Sequence, residues 1–321
     1  MIETITELPD LPRRPSEGHK GTFGTVGVVG GCCERESGRT MLGGPVLSGL
    51  AALRAGAGLA RVALPDRMID EALASALVLT GVALATDEQG GLIPHVCAPR
   101  IDALSSDADS LVVGPGLGVS EGASSIVLRA VGDGREETPV VLDADGLNNL
   151  ARVSDFAREL RTPCVVTPHV GEFRRLADAL GIEPDPSSVE TRAEAAAVLA
   201  QRLGVVVVLK SAATVVSDGL RSWVHEGGDA RLATAGTGDV LSGVIGSLIA
   251  QHHRAPILAG SRTVSSEQRG GLSLFECACL AVRAHGDASR IWGESRGTPS
   301  GGMLASDLLG ALPAAMERLR G

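Results

Sequence analysis

The sequence predicts an α/β layered fold with a mainly parallel sheet. Short apolar runs rich in β-branched residues recur without polar alternation, as strands buried on both faces do. Stretches with helical spacing lie between them, so strand and helix alternate along the chain. The unusual polar clusters come directly after the strand runs, and in parallel sheets ligands bind at the carboxyl ends of strands.

Taken in order, residues 1–19 read as a loose N-terminal leader, with Pro12 and Pro15 among mixed charges. The first strand run is VGVV at 26–29, ending at Gly30-Gly31. An Ala/Leu-rich helix at 44–56 follows and breaks at glycine. The run at 59–64 ends at Pro65-Asp66, that at 111–113 at Gly114-Pro115-Gly116, and that at 139–142 at Asp143-Ala144-Asp145. The run at 164–166 ends at Thr167-Pro168-His169. A helix at 171–181 sets Phe173, Leu176 and Leu180 on one side, and an alanine-rich helix at 191–203 stops at Gly204. The strongest strand run, VVVVL at 205–209, ends at Lys210. A further helix is expected at 240–251, with Asp239 as its opener if that aspartate is a cap. The polar stretch 252–271 interrupts two helical segments and reads as a surface insertion. With no internal repeat, residues 20–321 read as a single domain.

Aromatic residues make up 2% of the chain and Tyr is absent, so the core must be built from Val, Leu, Ala and Ile. A net charge of -9 without any basic run argues against a nucleic-acid surface. A local nest of backbone N–H groups could still hold a phosphorylated ligand. None of the six cysteines forms a C-x-x-C pair, which fits a reduced, cytoplasmic compartment. The start MIETITELPD has no apolar signal core. No apolar run approaches the roughly 18 residues of a membrane span, so no membrane association is expected.

The segment LATAGTGDVLS (232–242) is the most informative. Gly236, Thr237 and Gly238 let the backbone approach a ligand closely. The free N–H groups of a helix start attract anions. Asp239 among them is either a helix cap or a base aimed at a substrate. Asp143 and Asp145 end a strand two residues apart, with Asn148 one turn later. They fit contact with a ligand hydroxyl or a magnesium ion, or helix capping. His169 and Glu172 can share a helix face; Glu172 would either compensate the helix dipole or hold a hydrated magnesium ion. Lys210 at a buried strand end needs a use for its charge. No G-x-S-x-G surrounds a serine, and no His/Cys cluster suggests zinc.

In this order the motifs resemble one family, the NAD(P)H-hydrate dehydratases of the ribokinase-like superfamily. The segments are KGTFGTVGVVGG (20–31), GGPVLSGLAALRAGAGLARVALP (43–65), VVGPGLG (112–118), VVLDADGLNNLA (140–151), TPHVGEFRRL (167–176), VVLKSAAT (207–214), ATAGTGDVLSGVIGSLIAQ (233–251), AHGDA (284–288) and GMLASDLL (302–309). The resemblance implies a ribokinase-like three-layer α/β/α fold with a mainly parallel central sheet. It also implies dehydration of the S-form of NADH hydrate or NADPH hydrate back to NADH or NADPH. Bacterial-type members typically use ADP, giving AMP and phosphate; eukaryotic ones use ATP. The substrate hydroxyl is phosphorylated first, after which phosphate leaves and the ring double bond returns.

Carried over by position, Asp239 would activate that hydroxyl, with the N–H groups of Gly236, Thr237 and Gly238 as the anion hole. Lys210, Ser211, Ala212, Ala213 and Thr214, in a loop that usually reads LKG-x-x-T and here reads LKSAAT, would lie against the nucleotide together with Gly236, Thr237 and Gly238. Gly44, Gly116 and His169 match positions that contact the hydrated dinucleotide, and Gly118, Asp145 and Asn148 are placed on that side with them. Glu172 corresponds to the acidic residue of the superfamily's magnesium motif, acting on Mg2+ through water. The family's habit implies a homo-oligomer, a tetramer first. The chain is too short to include the epimerase domain many relatives carry, so a separate epimerase is expected. Two other readings stay open: a small-molecule kinase on the same fold, and a nucleotide-binding regulator without catalysis.

Overall fold

Each predicted strand run forms a strand, with ends shifted by at most one residue. The structure, a computed structural model, describes residues 2–134, 138–183, 185–253 and 271–320. The chain opens with β1 (Glu3–Thr4), β2 (Thr25–Val29), the hairpin β3 (Cys32–Glu34) and β4 (Arg39–Met41), and α1 (Gly43–Arg54). Next come β5 (Leu59–Pro65), α2 (Ile69–Ser75), β6 (Thr80–Leu84), α3 (Pro94–Asp107), β7 (Ser110–Val113) and α4 (Glu121–Gly132). The middle holds β8 (Val140–Leu142), α5 (Asp145–Leu150), β9 (Cys164–Val166), α6 (Val170–Leu180), α7 (Val189–Leu203) and β10 (Val206–Leu209). The chain ends with β11 (Thr214–Ser217), β12 (Arg221–His225), α8 (Thr237–His252), α9 (Leu274–Ser295) and α10 (Ala305–Arg318).

Ten strands make one sheet in the order β1-β12-β11-β10-β9-β8-β7-β2-β5-β6. It is parallel except where β11 pairs antiparallel with β10 and β12. Successive strand residues enter opposite cores, which explains the missing polar alternation. Val28, Val112, Val141 and Val165 join a cluster with residues of α1, α8, α9 and α10. Val29, Val113, Val140 and Val166 join a second cluster with residues of α3 to α7. The result is three layers with helices on both faces.

Three expectations change. Residues 2–19 are not loose: β1 pairs with β12, and Leu11 is 1% exposed. Two residues of strand are too few to show as a run. The last predicted helix begins at Thr237, so Asp239 is the third residue of α8 rather than its opener. The helix also absorbs His252, and residues 254–270 of the predicted insertion lie outside the described residues. No described helix is long and apolar enough to cross a membrane.

Candidate active site

The site forms at the carboxyl ends of the strands, around the first turn of α8. Gly236 adopts φ 89, a value that glycine takes without strain. The Thr237 hydroxyl bonds back to the carbonyls of Leu232 (2.7 Å) and Thr234 (2.9 Å), closing the turn. Burial pushes His285 down to about 4, so it is neutral, and its Nε2–H donates to the Thr237 carbonyl at 2.9 Å. The N–H groups of the helix's first turn are thereby fixed in direction, and they lack intrahelical acceptors.

Asp239 points from this turn toward α1. A Cβ at Gly44 would lie 3.2 Å from its Oδ1, so glycine leaves the carboxylate its space. Ser48 reinforces the contact, with Oγ 2.8 Å from the Asp239 carbonyl and 3.1 Å from that of Gly44. Burial raises the Asp239 carboxyl to about 7, and Asp143 adds to the rise. A carboxyl in that range can take up and release a proton near neutral pH.

Lys210 explains its buried strand-end position through Asp143. Its Nζ is 2.6 Å from Asp143 Oδ1 and 4.0 Å from Glu172 Oε2. Burial alone would push Asp143 up, but Lys210, Ser242 and Thr167 more than offset it and the net shift is downward. Asp143 and Asp145 part company because Ala144 sits at φ 49, ψ -120, a strained backbone for a residue with a Cβ. Asp143 turns inward to Lys210, while Asp145 accepts from the Gly118 N–H (2.9 Å) and from Asn148 (3.1 Å). Arg175 Nε then donates to Asn148 Oδ1 at 3.0 Å.

His169 caps α6 in a capping box with Glu172. Its Nδ1 accepts from the N–H groups of Gly171 (2.9 Å) and Glu172 (3.3 Å), which places the ring proton on Nε2. Glu172 Oε2 accepts from the His169 N–H at 2.8 Å. Burial raises the Glu172 carboxyl to about 7. Its Oε2 thus accepts from the His169 N–H and lies 4.0 Å from Lys210 Nζ. No group of three or more His, Cys, Asp or Glu able to hold a metal exists among the described residues.

A cavity of about 590 Å³ opens on one side of the α8 turn. Lys210, Ser211, Ala212, Thr214, Thr237 and Gly238 line it, so most of the expected nucleotide residues meet there. Two do not: the Ala213 carbonyl is tied to Arg192 and Ser211, and a Cβ on Gly236 would face Leu47 and Ala305. His169, expected on the substrate side, lines this cavity as well. On the other side, Gly116 approaches Met41 and Gly118 approaches Glu34 and Cys32 of the β3–β4 hairpin. Gly118, Asp145 and Asn148 are joined by hydrogen bonds, while Gly44 lies against Asp239. Sequence reasoning passed over the pairing of Asp143 with Lys210, and over His225, Asp229 and His285 in the cavity wall. For His285 a signal existed in the AHGDA segment; for Asp143 it lay in the need of Lys210 for a partner.

A family model described as NAD(P)H-hydrate dehydratase matches residues 26–314. The bifunctional NAD(P)H-hydrate repair enzyme of Salinibacter ruber is 37% identical over 280 residues, covering 86% of this chain and 46% of that protein. The chain thus spans about half the length of the curated relatives it matches. The ADP/ATP-dependent NAD(P)H-hydrate dehydratase of Bacillus subtilis, co-crystallised with ATP and Mg2+, superposes with TM-score 0.73 at 25% identity, covering 98% of this chain and 100% of that one. A ribokinase-like superfamily protein of Enterococcus faecalis shares the fold, with TM-score 0.72 at 23% identity over 100% of this chain and 97% of its own.

Proposed function

The chain belongs to the NAD(P)H-hydrate dehydratase family, lyases of ribokinase-like fold, and from that premise we propose that it dehydrates the S-form of NADH hydrate or NADPH hydrate with ADP. Asp239 takes the proton of the substrate hydroxyl as its oxygen attacks the terminal phosphorus of ADP, and AMP leaves. The phosphate then departs with the C–O electron pair and a proton is lost from the neighbouring carbon, restoring the ring double bond. The N–H groups of the α8 turn receive the charge on the transferring phosphoryl group. The cavity lined by Lys210 to Ala212 and Thr214 holds the nucleotide. Gly44, Gly116, Gly118, Asp145 and Asn148 face the dinucleotide substrate.

One observation carries this reading: a carboxylate raised to about 7 stands in the anion-binding turn, with the cavity on one side of it and glycine loops on the other. Mg2+ would neutralise phosphate charge, held by Glu172 through water. A homo-oligomer, a tetramer first, and a separate epimerase serving the other epimer complete the proposal. The bifunctional naming of the longer relatives supports the epimerase link.

The test is absorbance recovery at the reduced-nicotinamide band, with hydrated NADH, Mg2+ and either ADP, ATP or no nucleotide. Recovery with ADP is expected. Recovery with ATP alone would keep the reaction and change the co-substrate. No recovery from folded protein would overturn the assignment.

A further inference from the structure

Asp143 has no part in the reaction steps above, yet it is the most enclosed charge in the site. Its side chain is 1% exposed and joins three elements. Oδ1 meets Lys210 Nζ, from the end of β10, at 2.6 Å. Oδ2 lies 2.5 Å from Ser242 Oγ, on the second turn of α8, and that hydroxyl is also 3.0 Å from the Gly238 carbonyl. The Thr167 hydroxyl, at the end of β9, donates to the Leu142 carbonyl at 3.2 Å beside it and helps hold the Asp143 carboxyl low. A Cβ built on Gly238 would be 3.4 Å from Lys210 Nζ and 3.9 Å from Asp143 Oδ2. The ion pair therefore lies directly against Gly238, the second glycine of the turn that opens α8.

We propose that Asp143 is a positioning residue for the dehydratase reaction, an inference that rests on the function assigned above. Its carboxylate holds the Lys210 ammonium beneath Gly238, anchors α8 through Ser242, and sets a fixed negative charge facing Asp239. Without it, Lys210 keeps Glu172, at 4.0 Å, and Asp239 as its counter-charges. The charges facing Asp239 are Asp143 and Asp145 from the β8–α5 turn and Lys210 from β10. From α1 come only Gly44 and Ser48, which are uncharged, and from α9 the neutral His285. Asp143 opposes the loss of a proton from Asp239 and so strengthens it as a base; Lys210 acts in the opposite sense.

The signs give a test that a purely structural role would not pass. The Asp239 carboxyl is followed by 13C NMR, assigned through its absence in Asp239→Asn, without added divalent cation. In Asp143→Asn its titration midpoint should fall by about one pH unit. In Lys210→Met it should rise. The double variant Asp143→Asn/Lys210→Met leaves no lone buried charge and serves if the single Asp143 variant fails to fold; its midpoint should lie below that of Lys210→Met. The acid limb of kcat/KM should follow these midpoints. An unmoved midpoint in Asp143→Asn, or a double variant that titrates like Lys210→Met, would overturn the proposal. Moved midpoints in protein that recovers no reduced nicotinamide would instead overturn the dehydratase assignment and leave the coupling between the two carboxylates standing.

Discussion

At the scale of single residues, Asp239 combines two demands that conflict. It must ionise to act as a base, yet it is largely enclosed and faces Asp143 and Asp145. Asp239→Asn should reduce turnover about 10²–10⁴-fold, the usual contribution of one general base, while equilibrium dialysis still finds the nucleotide bound. Unchanged turnover would remove Asp239 from the mechanism. The same residue should show in stability. Its folded value, about 7, lies above the ordinary carboxylate value of 3.8, so the native state holds the extra proton between them. Stability from this group is present below the ordinary value and is lost as pH rises through about 7. Asp239→Asn should therefore raise the thermal midpoint at pH 8 and leave it unchanged near pH 3.5, as read by calorimetry at both pH values. The base proposed here is thus held at the expense of native-state stability.

At the scale of elements, the position of Asp239 depends on how closely α8 lies on α1. A Cβ at Gly243 would meet the Ser48 carbonyl at 2.1 Å and the Ala51 Cβ at 2.9 Å, so only glycine allows the approach. Gly243→Ala should push the helices apart, lower stability by about 1–3 kcal/mol as overpacking does, and weaken the Ser48 contacts to Asp239 and Gly44. Denaturant unfolding and kcat measured on the same variant should both fall. A loss of stability with full kcat would show that the helix contact does not set the carboxylate. This scale also shows what the sequence could disclose. The strands β2, β5, β7, β8, β9 and β10 were legible because both of their faces are covered, leaving unbroken apolar runs. The glycine turn before α8 was legible from its own residues. The helix start was misplaced because Thr237 and Gly238 read as turn residues, whereas the Thr237 hydroxyl closes that turn while its backbone is already helical. That Lys210 needs a partner was legible, but not that Asp143 is the one, since the pair joins residues 67 apart that only the order β8-β9-β10 brings together. The split between Asp143 and Asp145 depends on the unusual backbone of Ala144, for which alanine itself gives no signal.

At the scale of the whole molecule, the N-terminal segment ties the far ends of the helices that carry the site. Arg14 Nη1 donates to the Gly56 carbonyl (2.6 Å), just past α1, and to Gln251 Oε1 (2.9 Å), near the end of α8. Leu11 is buried in the core shared by α1, α8, α9 and α10, and its N–H bonds the Leu319 carbonyl at 2.7 Å. These contacts lie at the opposite end of α8 from Asp239, three turns and about 18 Å away along the helix axis. The segment should thus contribute to stability and not to chemistry. Leu11→Ala should cost about 2–5 kcal/mol, as the loss of a buried leucine does. Arg14→Ala should lower the thermal midpoint by less, because the arginine is exposed. Both should retain wild-type kcat and KM at temperatures where they stay folded. A changed KM in either variant would mean that α8 passes strain from its carboxyl end to the anion-binding turn. The glycine-rich contact with α1 makes that outcome unexpected, because Gly243 and Ser48 fix α8 between the two ends.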